Sequence, residues 1–448
     1  MSFEKSEFAA HLGCVASHWG DALAENRYDA AVVPAGAAAM YFQDDQAPPF
    51  HPNPHFARFY PDDNCSGSVL LVRPGANPKL YFSQPGGYWH LSPSLPAWAD
   101  AFDVETHDDD EGLLRSLVQD LARYSRVALV GPDETFSPNL PLAAVNPERL
   151  VNQLVFARAA KTPFEVARMR EATAMGVRGH LAARDAFRSG GSEFDIHMAY
   201  LAASGQEESK LPYPNIIALN EHAGILHYQH YDRQPPPRGH SFLIDAGGRS
   251  AGYHADITRT YSANPGDDFD ALVAALDEKQ QALVGEIRAG LSYVDLHTRM
   301  HHETADLLVR FGLITCSAES AFDRKITDAF FPHGLGHLLG LQTHDVGGKL
   351  ANPDGDEVES PERFPSLRYT REIDVAHVFT VEPGLYFIPM LLDALQASEA
   401  GTDVNWAKVD ALRPCGGIRI EDNVVVTSDG ADNLTRPAFA QLDQPGGT

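Results

Sequence analysis

The sequence FPHGLGHLLGLQTHD spans residues 331–345 and carries histidines at positions 333, 337 and 344. These histidines are separated by four and then seven residues, and glycines lie between them. Because glycine permits tight backbone turns, the three imidazole rings could converge on one point. Convergent imidazoles suit a metal ion and its substrate better than they suit an apolar core. The segment therefore predicts a metal-dependent site.

Three other segments supply the carboxylates that such a site needs. LIDAGG contains Asp245 and is followed by Asp256, VEPG contains Glu382, and GIRIED contains Glu421. Residues 241–261 are predicted to form a strand, a turn and a second strand, so Asp245 and Asp256 can face each other across a hairpin. Two carboxylates pressed together in a protein interior are costly unless a positive charge lies between them. Water-exposed turn aspartates are the alternative for this pair.

The carboxylates and one imidazole together form an oxygen-rich donor set. Arg419 and Glu421 lie two residues apart on a predicted strand, so their side chains share a face; an ordinary surface salt bridge is the alternative. Hard divalent ions such as Mn²⁺ prefer oxygen ligands, and a histidine leaves Co²⁺ and Zn²⁺ as further candidates. Four carboxylates carry enough charge for two divalent ions, which can share a hydroxide at neutral pH.

The charge balance limits the classes of partner that the chain can have. Lys and Arg total 35 while Asp and Glu total 61, so the net charge is 35 − 61 = −26. Such an acidic surface argues against nucleic-acid binding and against an anchor on anionic membranes.

Cysteine spacing and hydropathy indicate the compartment. The four cysteines are widely separated and form no CxxC pair, so we expect reduced thiols. No apolar run approaches the roughly 20 residues that span a bilayer, and the first residues lack the pattern of a signal peptide. We therefore expect a cytoplasmic protein.

Two domains and a short tail are predicted. Residues 1–158 alternate apolar strands with amphipathic helices, which indicates an α/β domain. A capping box at residues 162–165, with proline at the first helical position, begins a helix just after the boundary. Residues 159–440 contain every candidate ligand, and residues 441–448 are interpreted as a tail. The proline- and aromatic-rich segment 48–61 could be an ordered surface loop or an interface arm.

The order of these motifs resembles a known family. Asp-x10-Asp, a histidine within HGLGH, VEPG and IRIED look like the ligand pattern of the pita-bread metallopeptidases, which include methionine aminopeptidase, aminopeptidase P and prolidase. ALNEHAGILHY at 218–228, NPHF at 53–56 and YWH at 88–90 resemble bacterial Xaa-Pro dipeptidases (prolidases), which are similar to organophosphorus acid anhydrolases. The resemblance covers nearly the whole chain. It implies an α+β pita-bread (creatinase/aminopeptidase-like) catalytic domain behind the α/β N-terminal domain.

The resemblance also assigns a ligand set. It implies that Asp245 and Asp256 bind the first ion and that Asp256 and Glu421 bridge the two ions. His337 and Glu382 would complete the second site. The expected cofactor is therefore two divalent ions per subunit, Mn²⁺ first, with Co²⁺ or Zn²⁺ as alternatives.

Further residues are expected to act on the substrate. The resemblance implies that Glu382 is the proton shuttle and that His344 and His227 hold the scissile carbonyl and the substrate. His333 is a candidate for substrate binding, with a packed turn histidine as the alternative. Arg368 matches the arginine that would bind the free carboxylate of a dipeptide, since a guanidinium fork suits that group.

Three neighbouring features qualify these assignments. Arg371 competes with Arg368 for the substrate carboxylate. Arg419 is expected to fix Glu421 rather than to touch substrate. Residues 372–377 read EIDVAH and lack the Pro-Gly turn that prolidase-like chains usually carry, so the shape of this loop is open.

The leading function is cleavage of Xaa-Pro dipeptides with a C-terminal proline, by attack of a hydroxide held between the two ions. The substrate specificity comes from the resemblance and from Arg368. An aminopeptidase P-like enzyme acting on longer peptides is the first alternative, and organophosphorus triester hydrolysis is a possible side activity. A non-catalytic pita-bread binding module would be expected to lack ligands, and a metal-free creatinase-like hydrolase is disfavoured by the carboxylates. A homodimer is expected, with the N-terminal domain near the partner's active site.

Overall fold

The computed structural model describes residues 4–89, 91–132 and 140–444. Position 90 of the YWH motif and positions 445–448 of the predicted tail lie outside these ranges. The chain divides into two compact units. The first comprises residues 1–167 and 350–357, and the second comprises residues 168–349 and 358–448.

The first unit is an α/β domain, as its alternating pattern predicted. Its helices and strands are α1 (Lys5–Glu25), β1 (Ala30–Pro34), α2 (Pro54–Ala57), β2 (Val69–Val72), β3 (Lys79–Ser83), β4 (Asp103–His107), α3 (Asp110–Leu121), β5 (Val127–Leu129), β6 (Ala144–Val145) and α4 (Glu148–Arg158). The strands form one mixed sheet in the order β4-β3-β2-β1-β5-β6.

Helix α3 illustrates how local sequence forms this unit. The Asp109 side chain caps the helix by accepting a hydrogen bond from the Gly112 amide at 2.6 Å. Leucines at 113, 117 and 121 recur at helical spacing and are buried against the sheet, in one cluster with β1, β2 and β5. The amphipathic period therefore determines which face of α3 packs inward.

The proline- and aromatic-rich segment 48–61 is largely interior. Phe56, Phe59 and Tyr60 are fully buried, and Tyr60 packs against Trp98 with 4.8 Å between ring centroids. Most of its aromatic residues therefore belong to the core of the first unit and not to an interface arm.

The second unit contains the remaining helices and strands. They are α5 (Pro163–Arg188), α6 (Glu193–Ser204), β7 (Ile216–Leu219), β8 (Ser241–Asp245), β9 (Arg249–Ser250), β10 (Tyr253–His254), β11 (Thr258–Ser262), α7 (Asp268–Val284), α8 (Tyr293–Arg310), α9 (Ala318–Asp323), α10 (Ile326–Phe330), β12 (Val378–Val381), β13 (Gly384–Tyr386), α11 (Pro389–Gln396), α12 (Trp406–Leu412), β14 (Gly417–Arg419), β15 (Asp422–Val426), β16 (Ala431–Asn433) and α13 (Thr435–Leu442). The first of them, α5, begins in the first unit and crosses the boundary at residue 168.

Antiparallel sheets carry the candidate ligands of the second unit. One sheet has the order β11-β8-β7, another has the order β12-β15-β16, and two-stranded sheets pair β9 with β10 and β13 with β14.

The predicted capping box is present, since the Thr162 amide donates to Glu165 at 2.8 Å and the Glu165 amide donates to the Thr162 hydroxyl at 3.3 Å. Helix α13 extends to Leu442, into the predicted tail.

The loop at 372–377 closes its turn without a Pro-Gly pair. Ala376 has a φ of 64°, a left-handed conformation that few residues other than glycine adopt. The Ala376 amide donates to the Val426 carbonyl at 2.9 Å. The His377 ring accepts from the Asp374 amide at 3.1 Å and contacts the Tyr369 hydroxyl at 2.7 Å. These bonds replace the missing turn residues.

Candidate active site

Strand pairing brings the two aspartates together. In the β8–β11 ladder Thr258 lies opposite Asp245, and Asp256 precedes Thr258 by two residues. The Tyr213 hydroxyl bridges the two carboxylates, with a bond of 2.8 Å to Asp245 and a second bond to Asp256. The predicted facing pair is therefore present, although the small β9–β10 hairpin lies between the two strands.

The glycine-rich segment runs beside β12, which places His337 near Glu382. The Thr380 amide donates to the His337 carbonyl at 3.0 Å, and the Glu382 amide donates to the Leu335 carbonyl at 2.8 Å. Glycine is required at position 336, because a Cβ there would collide with the Thr380 carbonyl and the Tyr293 hydroxyl. The glycine spacing thus serves close backbone approach.

Contacts with strands of two sheets, β12 and β11, place Glu421 in the same cluster. Its neighbour Asp422 pairs with Val381 in the β12–β15 ladder, so Glu421 lies beside Glu382 at the end of β12. The Glu421 amide donates to the Thr258 carbonyl at 3.0 Å, and the Thr258 hydroxyl donates to the Glu421 carboxylate at 2.6 Å.

The predicted ligands converge on one pocket of about 300 Å³. One donor atom from each of Asp256, His337 and Glu421 lies within 4.8 Å of the others. The His337 Nε2 is 3.3 Å from Asp256 and 3.6 Å from Glu382. All nine predicted site residues line this pocket: Asp245, Asp256, His337, Glu382, Glu421, His227, His333, His344 and Arg368.

The hydrogen bonds of His337 leave one ring nitrogen for a ligand. Its Nδ1–H donates to the Leu338 carbonyl at 3.0 Å, which directs Nε2 toward the carboxylates. A ring nitrogen fixed by a backbone carbonyl orients the other nitrogen for metal binding. Burial by itself would lower the pKa of His337, but the bond from Nε2 to Asp256 and the negative charges of Glu382 and Asp256 together raise it.

Charge in the pocket is poorly compensated. Burial raises the pKa of Glu382 to about 7, and burial with the neighbouring carboxylates raises the pKa of Glu421 well above its usual value. Burial also raises the pKa of Asp245 against the opposing charge of Arg419. Burial by itself would raise the pKa of Asp256, but the hydrogen bond and charge of His337, the hydrogen bond from Tyr213 and the charge of His344 together lower it.

This donor set fits divalent cations. Of the four carboxylates, Asp256 and Glu421 are buried and Asp245 and Glu382 are half-buried. Among the described residues only Asp245 receives a guanidinium bond. Added positive charge would favour the ionised form of these carboxylates and offset the repulsion among them. Four carboxylates and an imidazole are the ligands that ions such as Mn²⁺ accept.

Arg419 has a different partner from the one predicted. It donates to Asp245 at 2.7 Å and to the Tyr386 hydroxyl at 2.9 Å, and its Nε donates to the Thr258 hydroxyl at 3.2 Å. Thr258 in turn bonds to Glu421. Arg419 therefore fixes Asp245 directly and reaches Glu421 only through Thr258.

The contacts of His333 favour the packed turn histidine over the substrate-binding residue. Its Nδ1–H donates to the Gly334 carbonyl at 2.8 Å, and its Nε2 accepts from the Tyr386 hydroxyl at 2.9 Å. Both ring nitrogens are thus engaged, and burial lowers the pKa of His333 to about 3. It lines the pocket as a neutral ring that holds Tyr386, the partner of Arg419.

The remaining pocket residues are more accessible. His227, His344 and Arg368 are exposed on the pocket lining. Burial, followed by the charge of His337, lowers the pKa of His344 to about 4, so its ring is neutral at pH 7. The competing Arg371 is buried and does not line this pocket, which favours Arg368 as the substrate-facing arginine.

Three residues of the site were not among the residues predicted from the sequence. Tyr213 links the two aspartates, Thr258 links Arg419 to Glu421, and Tyr386 links Arg419 to His333. Tyr213 lies in a short loop before β7, where no periodicity marks it. Thr258 lies two residues after Asp256, a spacing that puts both side chains on one face of a strand and could have identified Thr258 as a partner.

Comparisons with known proteins agree with this geometry. Residues 167–428 match metallopeptidase family M24, and residues 6–156 match the N-terminal domain of Xaa-Pro dipeptidase. The chain is 44% identical over 439 residues to the Xaa-Pro dipeptidase of Stenotrophomonas maltophilia, covering 97% of each chain. It is 43% identical to Xaa-Pro dipeptidase 2 of Idiomarina loihiensis, covering 98% of this chain and 99% of the relative.

Solved structures support the fold. Zn-substituted aminopeptidase P of E. coli, in complex with product, superposes with a TM-score of 0.74 at 21% identity, covering 98% of this chain and 96% of the other. The same enzyme with the inhibitor Pro-Leu gives a TM-score of 0.75 at 22% identity. The predicted architecture, an α/β domain followed by a pita-bread domain, is confirmed. The chain therefore belongs to metallopeptidase family M24, in the group whose curated relatives are Xaa-Pro dipeptidases.

Proposed function

We propose that this protein hydrolyses Xaa-Pro dipeptides with the help of two divalent ions. The observation that carries the proposal is a pocket whose lining contains both the five predicted ligand side chains and an exposed arginine, Arg368. The relatives at 43–44% identity, named Xaa-Pro dipeptidases, support the same substrate class.

Five side chains would hold the ions. Asp245 and Asp256 would bind one ion, His337 and Glu382 the other, and Asp256 and Glu421 would be shared. When bound, the ions would supply Lewis acidity and a hydroxide available at neutral pH. The predominance of oxygen donors favours Mn²⁺, with Co²⁺ and Zn²⁺ as alternatives.

Side chains of the pocket would transfer the proton and bind the scissile carbonyl. Glu382 faces the pocket from the end of β12, where it can accept a proton from water and pass it to the prolyl nitrogen. That nitrogen is a poor leaving group until it is protonated. His344, neutral at pH 7, can donate a hydrogen bond to the scissile carbonyl oxygen, and His227 lies on the same lining to hold the substrate.

The length of the substrate is expected to be set by Arg368. A dipeptide places a free carboxylate on the pocket lining, where the guanidinium can form a charge-assisted pair. A longer or amidated peptide places a neutral amide there. Losing such a bond costs about 1.5–3 kcal/mol, or roughly ten- to a hundredfold in rate.

Replacing Arg368 by alanine is therefore expected to lower kcat/KM for Ala-Pro by roughly ten- to a hundredfold and to leave the rate on Ala-Pro-amide nearly unchanged. Steady-state kinetics on the two substrates measure the difference. Arg368→Lys is the matched control, because it keeps the charge but loses the planar fork. Its kcat/KM for Ala-Pro should lie between the values for the parent and for Arg368→Ala. Equal losses on both substrates would remove Arg368 from this role.

One assay separates the proposed activity from its first alternative. Purified protein supplied with Mn²⁺ should cleave Xaa-Pro faster than Xaa-Pro-Xaa and should leave Pro-Xaa intact. Preference for the tripeptide would instead indicate an aminopeptidase P-like enzyme. No cleavage of any of the three would contradict the proposed function.

A homodimer is part of the proposal. The first unit exposes large apolar side chains on two loops, with Phe42 at 90%, Tyr88 at 86%, Trp89 at 77% and Leu91 at 98% exposure. Clustered exposed apolar residues of this kind mark interaction surfaces. We propose that this face contacts a second copy of the chain near its active site.

Light scattering coupled to size-exclusion chromatography is expected to give twice the chain mass of 48.9 kDa. Replacing Trp89 and Leu91 together by serine should shift the mass toward the monomer, since both side chains are exposed in the single chain. A parent protein that is monomeric and fully active at the assay concentration would contradict the dimer.

A cytoplasmic location completes the proposal. All four cysteines are free, which suits a reducing compartment. Among the described residues, no helix has both the length and the apolar character needed to cross a membrane. Cell fractionation followed by detection of the protein tests the location.

A further inference from the structure

A buried carboxylate outside the pocket receives an unusual number of hydrogen bonds. Glu193, the first residue of α6, is 1% exposed. Its two oxygens accept four bonds, from the Leu219 amide (3.0 Å), the His222 Nδ1 (2.7 Å), the Tyr228 hydroxyl (2.8 Å) and the Asp232 amide (2.9 Å).

All four donors lie in one short stretch of chain, residues 219–232, here termed the His227 segment. It begins at the last residue of β7 and includes one 3-10 turn, Asn220–Gly224. Its residues Leu226 and His227 both line the pocket. A short 3-10 turn constrains few residues. Besides one backbone bond, from the Phe194 amide to the Asp232 carbonyl at 3.1 Å, and the stacking of His197 on Tyr231 at 4.3 Å, the Glu193 carboxylate supplies four hydrogen bonds between this segment and α6.

Metal binding is a weaker explanation for the cluster. Donor atoms of Glu193, His222 and Asp232 lie within 4.8 Å of one another, but Glu193 already accepts two bonds at each oxygen. Asp232 is exposed and offers its amide, not its carboxylate, to Glu193. A cation would have to displace bonds that satisfy a buried charge, which is costly.

We infer that Glu193 is a positioning residue, whose carboxylate holds the His227 segment so that His227 faces the substrate. The inference rests on the proposed dipeptidase function. An ionised acceptor forms shorter and stronger bonds than a neutral one, so it can hold a loop that has little regular structure. Loss of the tie allows His227 to move, and displacements of about 1 Å can cost as much as a hundredfold in rate.

Glu193→Gln is the principal test. The amide keeps one acceptor oxygen but presents an NH₂ group to two of the four donors, so half of the tie is lost. We expect kcat/KM for Ala-Pro to fall roughly ten- to a hundredfold, mainly through KM. Asp195→Asn is the matched control: Asp195 lies two residues away and bonds to Ser192, not to the His227 segment, and its kinetics should match the parent.

A double variant decides whether Glu193 acts through His227. If it does, Glu193→Gln should cause no further loss of kcat/KM in a His227→Ala background. A full additional loss there would overturn the inference, because a merely structural residue would reduce activity independently of His227.

A second readout does not depend on activity. Hydrogen exchange of the Leu219 and Asp232 amides should accelerate in Glu193→Gln while exchange in the core of α6 stays unchanged. Tyr228→Phe removes one bond and keeps the ring stacked on His222 at 4.5 Å, so it should give an intermediate effect and serves if Glu193→Gln folds poorly. Unchanged exchange in both variants would overturn the inference. A parent enzyme inactive on Xaa-Pro would contradict the proposed function alone, since the exchange experiment still reports on the tie.

Discussion

Asp256→Asn and Glu421→Gln are each expected to release both metal ions and to lower kcat/KM by roughly a thousandfold or more. The two carboxylates are the proposed shared ligands, and a donor atom of each lies within 4.8 Å of the other and of His337. Lewis acid catalysis is worth several kcal/mol, and each ~1.4 kcal/mol corresponds to a factor of ten in rate. Replacing an unshared ligand, as in Asp245→Asn, should mainly weaken one site.

Metal content and activity are measured on the same samples. Elemental analysis of the reconstituted parent should give two divalent ions per chain, and EDTA should abolish activity until metal is restored. Asp429→Asn is the control, because Asp429 is an exposed carboxylate that does not line the pocket. Full activity in rigorously metal-free protein, or two ions retained by Asp256→Asn, would contradict the proposed sharing.

Acidification from pH 7 to pH 5 is expected to destabilise the second unit through its buried histidines. Burial lowers the pKa of His180, His297 and His301 to about 3, from 6.5. A histidine whose pKa is depressed in the folded state contributes stability that is complete above pH 6.5 and is lost as the pH falls from there toward 3. At pH 5 the loss is about 2 kcal/mol per histidine, or about 6 kcal/mol for the three.

His297 offers the clearest test. Its ring packs against Phe364 with 4.4 Å between ring centroids, the positive charge of Arg363 lies nearby, and its Nδ1 has no hydrogen-bond partner among the described residues. In His297→Leu the free energy of unfolding should fall less between pH 7 and pH 5 than in the parent, by about 2 kcal/mol. Urea unfolding of EDTA-treated protein at the two pH values gives this difference.

His302→Gln is the matched control for this test. His302 lies five residues after His297 on the same helix, α8, and its side chain is exposed. Removing an exposed histidine should leave the pH dependence of stability as in the parent. An identical pH dependence in His297→Leu and in the parent would contradict a neutral, buried His297.

The sequence by itself determined the class of chemistry and the family. Carboxylates and a histidine bracketed by glycines are informative because metal chemistry requires particular donor types, and these cannot be replaced by other residues without loss of the site. The need for glycine at position 336, in contrast, comes from the tertiary structure, since a Cβ there would collide with the Thr380 carbonyl and the Tyr293 hydroxyl. The helices predicted from capping and periodicity formed because those signals act within a few residues.

Only the tertiary structure decided the contacts between distant segments. Whether Arg419 bonds to Asp245 or to Glu421 depends on the register between β8, β11 and β14, which sequence spacing does not determine. Tyr213 joins the site because a loop before β7 lies over two aspartates that follow it by 32 and 43 residues. Segment 48–61 has the composition of a surface arm, yet three of its aromatic rings are buried, because burial depends on what packs against a segment and not on its own sequence.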